Sequence, residues 1–135
     1  MTGIDPLQDT IAGVGQLIKG RELSPVELTK ACIRQAERVD PALKAFTTLC
    51  AEYAMTRARQ AEAEIAGGNY RGPLHGVPYT LKDVIATSEV RTTWGNPREI
   101  DFKPEKSATV HNLLEEEGAS FWAKSTLTSA GERLR

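Results

Sequence analysis

The chain has 135 residues, 17 basic against 18 acidic, with a formal net charge of −1 and 40% hydrophobic residues. That length suits one ordinary domain, and the balanced charge argues against a nucleic-acid binder, which meets phosphates with a Lys/Arg surplus. No stretch approaches the ~20 apolar residues of a membrane span, and Asp5 and Asp9 stand where a signal peptide would want a basic start and an apolar core. Two cysteines, Cys32 and Cys50, are too few for a disulfide framework and lack the close pairing of a zinc site, so a reducing cytoplasm is expected.

Leu7, Ile11, Val14, Leu17 and Ile18 fall on one helical face with Gly20 placed to stop it, although Gly13 and Gly15 weaken that helix. Ser24-Pro25-Val26-Glu27 is a capping box with proline at the first helical position. Leu28, Ala31, Cys32, Ala36 and Val39 then keep helical spacing, and the pattern predicts a stop at Asp40-Pro41. Strand formers follow at Ala45–Leu49, and an Ala/Glu/Arg-rich run from about Glu52 to Ile65 predicts a helix ending at Gly67-Gly68.

Composition changes at Asn69. Four prolines, three glycines and short β-rich pieces around Val77–Leu81 and Val90–Trp94 predict strands joined by ordered loops, a usual location for chemistry. A last helix is expected from about Ala108 to Glu117, with Val110, Leu113 and Leu114 inward and Glu115-Glu116-Glu117 on its solvated face. Ala119–Ala123 reads as a short buried strand, and Leu127–Arg135 as a polar end.

Leu74 to Asp83, LHGVPYTLKD, is the most informative segment. It sets Lys82 at the end of an apolar strand, after a Gly-x-Pro turn and beside a carboxylate. Approach by Val77, Tyr79 and Leu81 would desolvate the ammonium and lower its pKa, making it a base; the alternative is a surface lysine beside a solvated aspartate.

Gly72-Pro73-Leu74-His75-Gly76-Val77-Pro78-Tyr79-Thr80-Leu81-Lys82-Asp83 resembles the Gly-Pro-Leu-x-Gly-[Ile/Val]-Pro…Lys-Asp motif of the amidase signature hydrolases. The likeness extends over about residues 7–128: Val90–Gly95 is similar to the family's Thr-Thr-x-Gly turn, and Ala123–Leu127 to its Gly-Lys-Thr-Asn segment. The implied fold is α/β, a mixed sheet covered by helices, of which residues 1–135 would be the N-terminal portion of a single domain: helices plus the first strands.

By that resemblance the chemistry is hydrolysis or transfer at a carboxamide by a nucleophilic serine, a second serine in cis-peptide geometry, and a lysine. Lys82 would be the catalytic lysine, with Gly76, Pro78 and Asp83 shaping its loop. A lysine suits this role because burial can bring its pKa toward working pH. The resemblance implies no cofactor and no metal. It implies a small-molecule amide substrate for the complete domain and compatibility with an oligomer or an amidotransferase-type complex, while composition argues against a nucleic-acid or membrane partner.

The family's serines ordinarily lie in a Gly/Ser-rich stretch downstream of the lysine. Here Ser24, Ser88, Ser107, Ser120, Ser125 and Ser129 include none in a Gly-Ser-Ser-Gly context, so the chain is expected to contain no nucleophile and to be inactive alone, and reads as a frameshifted or incomplete product, with a natural short protein as the alternative. A partial sheet with open edges would also melt with poor cooperativity. Glu89 stands where the family commonly has glycine; a left-handed backbone there would cost a glutamate ~1–2 kcal/mol.

Two other readings compete. Gly118–Ser125 matches the phosphate-loop pattern Gly-x-x-x-x-Gly-Lys-Ser except at Ala123, but a helix precedes it and Phe121-Trp122 suit a buried strand. A non-catalytic helical interaction module would use the amphipathic faces of the first two helices. His75 and His111 are single histidines, read as no metal site, with His75 a loop residue; Trp94 and Trp122 read as packing residues.

Overall fold

A computed structural model describes residues 5–127. Four helices and three strands follow in the order α1 (Ile11–Lys19), α2 (Pro25–Leu43), β1 (Phe46–Leu49), α3 (Ala51–Ala66), β2 (Pro78–Lys82), α4 (Thr109–Glu116) and β3 (Ser120–Ser125), with a 3-10 turn at Pro97–Glu99. The polar end expected at Leu127–Arg135, and Ser129 in it, lie outside the described residues beyond Leu127.

The Ser24 half of the expected capping box forms, while the Glu27 carboxylate turns to Lys30 at 2.8 Å, and α1 starts after its cap Thr10, beyond Leu7. Thr10 Oγ1 accepts from Gly13 N–H to start α1, and Ser24 Oγ accepts from Glu27 N–H at 3.1 Å with Pro25 at the first turn of α2. Gly15, expected to weaken α1, has a positive reason: a Cβ there would come within 2.6 Å of the Pro73 carbonyl oxygen, so the glycine lets α1 lie against the segment ahead of β2. Helix α2 does not stop at Asp40-Pro41 but runs through Pro41 to Leu43. Pro41 withholds an N–H only from the carbonyl of the exposed Glu37, which water can satisfy, and Asp40 closes the end instead, its Oδ1 accepting from Ala45 N–H at 2.6 Å.

The sheet has the order β1-β3-β2, with β3 antiparallel to β1 and parallel to β2. Parallel pairing of β2 with β3 requires a crossover, which α4 supplies. Ala54, Ala58 and Ala61 form a small-residue face on α3 that is 0–2% exposed, so this helix approaches its neighbours closely. Three apolar clusters fill the interior: Val14, Ile18, Leu28, Ile65 and Val77; Ile33, Ala36, Ala54, Trp122 and Ala123; and Cys50, Leu81 and Phe121.

Three further local expectations fail. Val90–Trp94 forms no strand; it is irregular backbone. Val110 and Leu113 of α4 are 46% and 55% exposed, and the buried residue of that helix is His111. Glu115 is drawn inward by Arg57, whose Nε lies 2.9 Å from its carboxylate, so only Glu116 and Glu117 keep the solvated face. Among the described residues no helix is long and apolar enough to cross a membrane.

Candidate active site

Backbone geometry sets the entry to β2. Gly76 adopts φ 79°, and a Cβ on it would lie 2.7 Å from the Pro25 ring, so both conformation and space require glycine. Its N–H donates to Gly118 O at 2.9 Å, and Pro78 opens the strand, paired in register with Ser120. Tyr79 and Leu81 turn toward Phe121 and Cys50, while Thr80 and Lys82 alternate onto the exposed face.

Lys82 closes β2 opposite Ser125. Its side chain is exposed, and the ammonium has no hydrogen bond or ion pair among the described residues. The desolvation expected from Val77, Tyr79 and Leu81 is therefore not supplied by this part of the structure, because two of those side chains sit on the opposite face of the strand. Nor is the neighbouring aspartate solvated. Asp83 is fully buried: its Oδ1 accepts from Thr93 N–H at 3.1 Å, its Oδ2 accepts from the Thr93 hydroxyl, and its carbonyl accepts from Trp94 N–H at 3.0 Å.

The buried ammonium belongs to Lys124, which is 0% exposed within β3. It donates to the Ile85 carbonyl and to Thr92 Oγ1 at 2.9 Å, and lies 4.0 Å from Asp83 Oδ1. Burial pulls its pKa below the ordinary lysine range, and the Asp83 carboxylate opposes that. Sequence reading placed Lys124 in a motif but missed this pairing. The signal was available: a lysine inside the apolar run Phe121-Trp122-Ala123 must be paired if the strand is buried.

The loop after Lys82 is tied on its other side by Arg91, which donates to Thr48 Oγ1 at 2.9 Å and Thr47 O at 2.8 Å. Trp94 takes the left-handed φ of 50°, is 45% exposed, and stacks on Phe102 with ring centroids 5.2 Å apart. Trp122, by contrast, is buried against Phe46.

A second polar network lies under α4. Glu89 does not take a left-handed φ, so the expected strain is absent. Its Oε2 instead lies 3.1 Å from His111 Nε2 and accepts from Ser107 Oγ at 3.2 Å, while His111 Nδ1 meets Tyr79 OH at 2.8 Å. Ser107 Oγ also accepts from Ser88 N–H at 2.8 Å. His75 is no open loop residue: it is fully buried, with Nδ1 accepting from Arg71 N–H at 3.0 Å. Within the Gly118–Ser125 stretch Ser120–Ser125 form β3, so the N–H groups of that part lie in a ladder and do not cradle an anion. Among the described residues no three His, Cys, Asp or Glu side chains gather as a metal site.

Comparison with known proteins supplies the context for this geometry. The family model described as Amidase matches residues 27–132. A glutamyl-tRNA(Gln) amidotransferase subunit from Dehalococcoides mccartyi is 40% identical over 123 residues, covering 91% of this chain and 25% of that protein. The native peptide amidase from Stenotrophomonas maltophilia superposes with a TM-score of 0.84 at 29% identity, over 89% of this chain and 25% of that one. Fatty acid amide hydrolase shares the fold alone, with a TM-score of 0.84 at 23% identity. The chain thus spans about a quarter of the length of the relatives it matches.

Proposed function

Because the chain belongs to the amidase family, we propose that it supplies the lysine of a site that cleaves the carbon–nitrogen bond of a carboxamide. The observation that carries this is the contrast at the end of β2: Asp83 is wholly engaged in holding the loop, while Lys82 is held at the strand end with its amine uncommitted. A neutral Lys82 amine accepts a proton relayed through one serine hydroxyl, which leaves a second serine free to attack the carbonyl carbon. An arginine at this position could not be deprotonated.

The desolvation this role requires must come from residues packed over the exposed face that bears Thr80 and Lys82. Gly76 and Pro78 fix the approach of the strand, and Asp83 fixes its exit. Among the described residues we read no serine as completing the unit: Ser24 caps α2, Ser88 and Ser107 bond each other at 3.0 Å, Ser120 is buried in β3, and Ser125 ends that strand opposite Lys82. The 135-residue chain is accordingly expected to show no hydrolysis by itself and no labelling by a serine-directed fluorophosphonate. Relatives named as a peptide amidase, a fatty acid amide hydrolase and a glutamyl-tRNA(Gln) amidotransferase differ in the substrate their names give, and we read the acyl and amine pockets as built largely by sequence other than residues 5–127. The likeness to a component of an amidotransferase makes an amidotransferase-type complex a further reading for the complete domain.

Grafting residues 7–127 in place of the matching segment of the peptide amidase tests the proposal. Ammonia release from a peptide amide is expected from the graft, and Lys82→Met is expected to lower kcat by about 10³-fold or more. A graft that keeps its activity without the Lys82 amine overturns the assignment.

A further inference from the structure

We propose that Lys124 is a positioning residue for Lys82: its ammonium, paired with buried Asp83, clamps the turn that carries Lys82 onto the Thr92–Thr93 segment. The proposal rests on the reading of Lys82 as the reacting amine.

The connection is traceable bond by bond. Ile85 N–H donates to Lys82 O at 2.9 Å, closing the turn directly after β2, and the carbonyl of the same Ile85 accepts from Lys124 Nζ. Thr92 Oγ1 accepts from Lys124 at 2.9 Å, so one ammonium bridges the turn and the returning loop. Asp83 completes the clamp from the other side through both donors of Thr93 and through Trp94 N–H. Asp83 N–H also donates to Ser125 O at 3.0 Å, which locks the residue after Lys82 to the residue after Lys124.

The charge arithmetic explains why these two residues occur together. Each is 0% exposed, and either one alone would be an uncompensated buried charge. The pair carries no net charge, so at the Lys82 amine it adds a dipole's field and not that of a bare buried charge. Lys124 is not itself the base. Two of its three N–H bonds are spent on Ile85 O and Thr92 Oγ1, the Asp83 carboxylate lies 4.0 Å away, and the side chain is 0% exposed.

Hydrogen exchange and lysine-ammonium NMR on the 135-residue chain test this. In the native sequence the Lys124 ammonium protons are expected to exchange at least about tenfold more slowly than those of Lys82, as a closed site requires; equal rates overturn the proposal. Thr92→Val, which removes one acceptor, is expected to speed amide exchange at Ile85 and Trp94 by about tenfold, and Thr92→Ser to restore it to within about threefold. The double variant Asp83→Asn with Lys124→Met removes both buried charges and keeps the strand apolar. Fast exchange at Ile85 and Trp94 in a folded double variant supports the clamp; unchanged exchange there shows that the pair contributes stability only and overturns it. If the double variant does not fold, the Thr92 pair decides. These rates are independent of catalysis, so an inactive graft would remove the catalytic reading of Lys82 while leaving the clamp standing, and the reverse outcome is equally separable.

Discussion

Glu64 Oε2 lies 3.0 Å from His75 Nε2 and joins α3 to the segment ahead of β2. Burial holds the His75 pKa below its ordinary 6.5 although the Glu64 carboxylate pulls the other way. The unfolded chain therefore takes up this proton at a higher pH than the folded one, and the stability contributed is present above about pH 6.5 and lost as pH falls below it. Glu64, whose pKa is lowered chiefly by its hydrogen bond from Arg71, adds a loss in the same direction at lower pH. The urea midpoint is expected to fall as pH is lowered through about 6.5, with a His75 ring resonance that titrates below that value. A flat midpoint through this range, or a His75 titration above 6.5, contradicts the account.

Gly76 allows two steric effects to be separated. Gly76→Ala meets both a φ of 79° and the Pro25 ring at 2.7 Å, whereas Gly68→Ala meets a φ of 87° with nothing within 4 Å. The first is expected to cost about 2–4 kcal/mol and the second about 1 kcal/mol by urea unfolding. Equal losses would show that the Pro25 contact relaxes freely.

What the sequence disclosed follows the range of the forces involved. The Ser24 cap of α2 is a local bond between residues three apart, and it forms as read. The motif carrying Lys82 was legible because its glycine and prolines constrain backbone over a few residues. By contrast, the buried face of α4 was misjudged because hydrophobicity favoured Val110 and Leu113, while His111 is turned inward by Tyr79 and Glu89, which lie 32 and 22 residues away. Lys124 and Asp83 are separated by 41 positions, and nothing local distinguishes a paired buried charge from a solvated one. The stop predicted at Pro41 weighed the missing N–H but not the exposure that makes its absence inexpensive.

The two thiols should differ in reactivity. Burial pushes Cys50 up to about 11, with the nearby Lys124 ammonium only partly offsetting it, and burial also raises Cys32. At pH 8 the Cys50 thiolate is then roughly 10⁻³ of the total, and access is closed as well. Disulfide reagents at pH 8 are expected to label the half-buried Cys32 first and Cys50 only on unfolding. Faster labelling at Cys50 would mean that the start of α3 opens more readily than its packing against Leu81 and Phe121 implies.

Glu115 gathers three partners from two other elements, and its removal should be costly. Tyr79 OH donates to Oε1 at 3.0 Å, Tyr53 OH donates to Oε2 at 2.7 Å, and Arg57 Nε lies 2.9 Å from Oε2. Glu115→Ala leaves two half-buried phenols and a guanidinium to find new partners, a loss of about 2–4 kcal/mol in urea. Glu115→Gln keeps the shape and is expected to lose less. Burial, followed by the Glu115 carboxylate, raises both phenol pKa values above the ordinary 10. The unfolded chain thus releases these protons first, so the stability is present below about pH 10 and is lost as pH rises beyond it. An alkaline absorbance titration is expected to show Tyr53 and Tyr79 ionising only as the chain unfolds, and earlier in Glu115→Gln, where the charge opposing phenolate is gone. Reversible ionisation of both near pH 10 in the folded chain would mean that α4 does not hold Glu115 against them, and with it would go the packing of the crossover between β2 and β3.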